Sequence, residues 1–140
     1  MLADFSEHCN TIEECYEFML AYAAQGLPSD ESSQSGRQIR EYLGRTVRAM
    51  SGLAESCAMA VKQGRLEPAE RHHAFLAVLD RDAHDSLAAV ELVLAQPAIS
   101  SQLIDNLNAS IHLRALLTDL FLLSEILKPQ AGPPKLVKTG

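Results

Sequence analysis

The residues best suited to chemistry in this chain gather in one stretch, Glu70-Arg71-His72-His73, followed by Asp80, Asp82, His84 and Asp85. A Glu and a His three positions apart share a helix face. A bundle that supplies this pair from two helices, with two further glutamates, can hold two metal ions. Here the Glu-x-x-His spacing occurs once, at Glu70 and His73. Glu14, Glu17, Glu91 and Asp119 offer carboxylates, but no second histidine has the matching spacing. His73 and His84 return to nearly the same helix face about 16 Å apart, too far for one ion. Glu70, His72, His73, His84 and His112 therefore form a secondary ligand or metal set, with surface or boundary roles as the first expectation. No cofactor is expected.

His84-Asp85 also suits phosphotransfer, because an exposed histidine midway along a bundle helix can accept a phosphoryl group. The chain resembles the histidine-phosphotransfer domains in size and helical content. Those domains usually place a lysine and a small residue three and four positions beyond the histidine, where this chain has Leu87 and Ala88. His112 lies between Ile111 and Leu113 and reads as a boundary histidine, although an unperturbed imidazole titrates near neutrality. Cys57 sits on an apolar helical stripe, without the electropositive and accessible surroundings that generate a thiolate. A glycine-rich phosphate loop, an HExxH zinc pair and a GxSxG nucleophile elbow are all missing from the sequence. These absences make the chain more a binding module than an enzyme.

The elements that would carry these residues are helices. Alanine and leucine are abundant, Trp is absent, and no run alternates polar with β-branched residues, so no sheet is predicted. At 140 residues the chain is one domain of ordinary size. Cys9, Cys15 and Cys57 are odd in number, which fits buried thiols in a reducing compartment better than a disulfide framework. The N-terminal residues lack the basic and apolar regions of a secretory signal, and charged residues interrupt the apolar run 113–127, so a cytoplasmic protein without a membrane span is expected.

Four helices are predicted. Thr11 with Glu14 forms a capping box for the first, which should stop at Gly26. The second runs from Ser35 to Gly64, with Ile39, Leu43, Val47, Met50, Cys57 and Val61 on one face. Gly44 and Gly52 within it suggest close helix contact or mild bending, of which contact is preferred; Gly64 reads as the residue just past its end. The third spans about Pro68 to Gln96, and the fourth about Ser100 to Leu127. Connections of this length favour an antiparallel up-down-up-down four-helix bundle over residues 1–128, followed by a flexible Pro- and Lys-containing tail at 129–140.

Charge is unevenly spread along the chain. Residues 1–35 carry seven acidic and no basic side chains, 36–66 carry six basic and two acidic, and 67–97 carry six acidic and two basic. The basic second helix should therefore lie between its acidic neighbours. Arg37, Arg40, Arg45 and Arg48 either seat it there or grip an acidic partner. The net charge of −6 disfavours nucleic acid. Around Leu116, Leu120 and Phe121 the apolar surface exceeds one stripe, marking a second partner or homodimer surface. The leading expectation is a small interaction or regulatory module that acts through protein–protein contacts.

Overall fold

The first helix, α1, runs over Leu2–Ala24 in the computed structural model, which describes the backbone of residues 2–131 and the side chains of 4–128. Phe5, Cys9, Ile12, Cys15, Met19 and Tyr22 recur at steps of three and four and are all buried. That spacing makes one continuous apolar face from the start of the chain. Thr11 therefore lies inside the helix and does not cap it. Past the helix end, Gly26 takes a positive φ of 68° that reverses the chain.

Helix α2 (Gln34–Ser51) starts one residue before the expected Ser35, because Ser33 caps it by accepting the Gly36 N–H at 2.9 Å. Gly36 is fixed by space: a Cβ there would overlap the main chain of Asp30. The long second helix of the sequence reading is broken at Gly52, and α3 (Leu53–Gly64) follows. Gly52 adopts φ −101° and ψ 4°. A Cβ at this position would lie 3.3 Å from the His8 ring, so the glycine serves both the break and a close contact. At Gly44 the contact expectation fails, since a Cβ would meet only the tip of Arg48.

Pro68 is the N-cap of α4 (Ala69–Leu94). Ser100 caps α5 (Ser101–Ala109) by accepting the Leu103 N–H at 3.0 Å. Ser110, with ψ 143°, ends α5, and its Oγ accepts the Leu113 N–H at the start of α6 (Ile111–Ala131). The fold is all-α, but the described residues form six helices, so the predicted four-helix bundle is corrected. Both extra boundaries lie where the apolar period continues unbroken in sequence, and local backbone turns at Gly52 and Ser110 interrupt it. Of the tail expected at 129–140, residues 129–131 continue α6 and 132–140 lie outside the described residues.

Helix α2 packs between α1 and α4; α3 and α5 bridge the same two helices. Helix α6 packs chiefly along α4, with lighter contacts to α5 and α3, and so occupies an edge of the molecule. Leu113, Leu116, Leu117, Leu120, Leu123 and Leu127 form its buried side. Ser86 of α4 fastens this edge by donating its Oγ–H to the His112 carbonyl at 2.8 Å.

The turn after α3 inverts the expected use of glycine. Gly64 is the last helical residue, where a Cβ would meet Leu127 Cδ2 at 3.4 Å, an ordinary van der Waals distance, so neither space nor a left-handed conformation demands glycine there. The left-handed residue is instead Arg65, at φ 52° and ψ 46°. A non-glycine residue held there costs about 1 kcal/mol. Arg65→Gly is expected to raise the urea midpoint by the equivalent of about 0.5–1 kcal/mol. A lowered midpoint would show that the arginine side chain stabilises the turn by more than its backbone costs.

Candidate functional site

One group of polar residues at the end of the molecule is structural. The loop between α1 and α2 and the loop between α4 and α5 are joined by buried hydrogen bonds. The Tyr22 hydroxyl donates to the Ile99 carbonyl at 2.7 Å, and Ser101 Oγ donates to the Tyr22 carbonyl at 2.6 Å. Ser101 Oγ accepts the Leu27 N–H, and the Ser101 N–H donates to the Leu27 carbonyl, each at 2.8 Å. Asp30 lies at the centre, accepting from the Ile99 N–H and from Arg40 Nε, both at 2.7 Å. Arg40 also donates to the carbonyls of Leu94, Gln96 and Pro97, and so satisfies the end of α4. Burial alone would raise the Asp30 pKa, but Arg40 and the Ile99 N–H hold it below the usual carboxylate range.

Arg40, one of the four candidate partner-binding arginines, is thus committed to the fold. Arg45 pairs with Glu14 at 3.0 Å and lies over the Tyr42 ring, itself stacked on Phe18 at 4.2 Å between centroids. Arg37 and Arg48 are exposed. Two of the four arginines thus hold α2 to α1 and to the loop between them, and among the described residues no ion pair joins α2 to an acidic side chain of α4; an exposed pair contributes only about 0–1 kcal/mol.

The histidines do not converge. His72 Nδ1 donates to the Pro68 carbonyl at 2.8 Å, and His84 Nδ1 donates to the Asp80 carbonyl at 2.9 Å. Glu70, His73 and His112 are exposed. Among the described residues no three His, Cys, Asp or Glu side chains form a group able to hold a metal ion. His8, which sequence reasoning passed over, shares a 2.8 Å hydrogen bond with Ser56 beside the Gly52 break.

The three cysteines are buried free thiols. Burial pushes Cys57 up to about 12 and Cys9 up to about 11, so neither offers a thiolate nucleophile at neutral pH. Asp119 of α6 is buried beside Asp82 of α4, and burial together with that second carboxyl pushes it up to about 7. The pair belongs to the α4–α6 interface, where Asp119 Oδ2 is buried without a hydrogen-bond partner among the described residues.

Two surfaces remain. The first is the outer side of α6. Leu116 and Leu120 from the predicted partner surface are fully covered by the core, which removes them from any contact. Phe121 is 56% exposed, and Ile111, Leu122 and Ile126 beside it are 74%, 51% and 42% exposed. Ile111, Ala115, Thr118, Leu122 and Ile126 fall at steps of four, three, four and four, which makes one outward stripe. A shallow depression of about 330 Å³ lies on it, bounded by Ile111, Arg114, Ala115 and Thr118. The second surface is a groove of about 670 Å³ between α3 and the start of α4, whose apolar wall includes Met59, Val61, Leu66 and Leu76. Met59 lies off the apolar stripe predicted for the second helix, so the helical period gives no sign of this groove.

A small all-α domain with no helix among the described residues long and apolar enough to cross a membrane is what the geometry defines. Comparison with protein-family models, with curated proteins and with solved structures gives no match.

Proposed function

We propose that the protein is a non-catalytic interaction module whose contact surface is the outer face of α6, and that its first partner is a second copy of the chain. The supporting observation is that the exposed stripe is complementary to itself. About a two-fold axis near Thr118, an antiparallel pair sets Ile111 against Ile126 of the partner subunit. It also lowers Leu122 of the partner subunit into the depression at Ala115 and Thr118. Arg114 and Glu125 lie on one flank of the stripe, so the same axis brings Arg114 level with Glu125 of the partner subunit, twice over by symmetry. Among the described residues Glu125 pairs with Lys128 at 3.3 Å, an exposed contact that can exchange at small cost.

A single helix face of about 24 Å is a small interface, so a reversible dimer in the micromolar range is expected. Sedimentation velocity tests the reading. The wild-type chain should move from monomer to dimer as concentration rises, and Leu122→Glu should remain monomeric with unchanged thermal stability, because Leu122 is exposed in the monomer. A wild-type monomer throughout the micromolar range, or a variant that still dimerises, would remove α6 as the contact surface.

A further inference from the structure

The groove between α3 and α4 has the composition of an amphiphile site, separate from the proposed dimer face. Its interior is apolar: Val61 and Leu66 are buried in its wall, while Met59 stands 38% exposed within it. Small residues, Ala58 and Ala69, hold it open. Methionine suits a lining that must adapt to a flexible ligand. A volume of about 670 Å³ lies within the range of small-molecule sites.

The rim carries the polar groups. Lys62, Arg65 and His73 border the groove, against one carboxylate, Glu67. Neither Lys62 nor Arg65 makes an ion pair among the described residues, whereas Arg40 and Arg45 of α2 are both committed to carboxylates. Arg65 is also the one non-glycine residue with positive φ among those described. Its backbone strain places a guanidinium at the mouth of the groove, in a position where glycine would be the relaxed choice.

We infer that this groove binds a free aliphatic carboxylate, with its chain along Met59, Val61, Leu66 and Leu76 and its carboxylate between Lys62 and Arg65. The complementarity is specific in both halves. An apolar wall removes the chain from water, and two unpaired cations meet a single anionic head. The wall is shared by Ala58 to Lys62 of α3, by Leu66 in the turn after it and by Leu76 of α4, and a groove of about 670 Å³ has room for an aliphatic chain of medium length.

Calorimetric titration of the whole protein with dodecanoate and with dodecanol, both below micelle formation, tests the assignment. Saturable one-site binding of dodecanoate is expected, with dodecanol at least about tenfold weaker. Lys62→Gln with Arg65→Gln should reduce dodecanoate binding about tenfold while leaving dodecanol unchanged. Ala58→Trp, which fills the groove from an exposed position, should abolish both. Arg65→Gly separates binding from folding, because it should be at least as stable as the wild type and still bind the carboxylate more weakly. Absence of saturable binding, equal binding of acid and alcohol, or full affinity in the double glutamine variant would each overturn the inference. So would capture of an acidic amphipathic peptide in the groove by a protein that does not bind dodecanoate. None of these outcomes depends on α6, so the dimer and the groove stand or fall separately.

Discussion

Asp30→Ala is expected to destabilise the protein by about 3 kcal/mol, one of two large effects that the polar interior predicts. The carboxylate accepts from the Ile99 N–H and from Arg40 Nε, and its removal leaves a buried amide without an acceptor and a guanidinium without its counter-charge. Arg40 is about one-third exposed, so water recovers part of its loss, while Ile99 is fully buried and recovers none. Asp30→Asn should cost less, because its carbonyl oxygen still reaches Ile99 although its amide group faces Arg40. Urea denaturation gives the magnitude, and amide hydrogen exchange at Ile99 gives the location. The same loss should appear in the wild type under acid. Asp30 titrates below its ordinary value in the folded state, so its contribution is present above the unfolded pKa and disappears as pH falls through the folded one. An Ile99 amide that stays protected in Asp30→Ala would show that the two loops are held by something else.

The second large effect has the opposite sign with pH. Asp119 is pushed up to about 7, well above an unfolded aspartate, so the folded state holds its proton more tightly. Its contribution is therefore complete below about pH 4 and is lost as pH rises through about 7, on the order of 2–4 kcal/mol in all. Physically, ionisation would place a second negative charge beside Asp82 in a buried position. Asp119→Asn keeps the shape and removes the charge. It should be more stable than the wild type by about 2 kcal/mol at pH 8 and nearly equal to it at pH 5. The difference between the two proteins across that window cancels the histidines, which they share. A constant difference from pH 5 to pH 8 would mean that Asp119 does not titrate there.

Much of the fold was legible in the sequence because it depends on the helical period. The stripe through Ile39, Leu43, Met50, Cys57 and Val61 is buried as that period requires, and Ser100 does start a helix. The breaks at Gly52 and Ser110 were not legible, because the apolar period runs through both and the cause is local. At Gly52 the His8 ring, 44 positions earlier in the chain, also packs where a Cβ would lie, a contact the sequence does not show. The first turns of α1 could have been found from Phe5, Cys9 and Ile12, had the capping box at Thr11 been weighed against their spacing. Gly64 does mark the end of a helix, but the left-handed conformation that favours glycine falls one residue later, at Arg65, an offset that the sequence pattern does not encode.

The candidate surfaces divide in the same way. The apolar surplus on the last helix was visible from composition, but only tertiary contacts separate buried Leu116 and Leu120 from exposed Phe121 and Leu122. Arg40 read as a surface cation because its partners, Asp30 and the carbonyls after α4, come from two loops distant in sequence. Burial at a distance is what the periodic pattern does not encode.

Antiparallel pairing of α6 with its own copy, as proposed, makes a definite forecast for a charge exchange across the two-fold axis. By sedimentation equilibrium, Arg114→Glu and Glu125→Arg should each weaken the dimer about tenfold, since every substitution acts twice across the two-fold axis. The double variant should restore the wild-type dissociation constant. Single variants that dimerise as the wild type does, or a double variant as weak as either single one, would contradict the pairing.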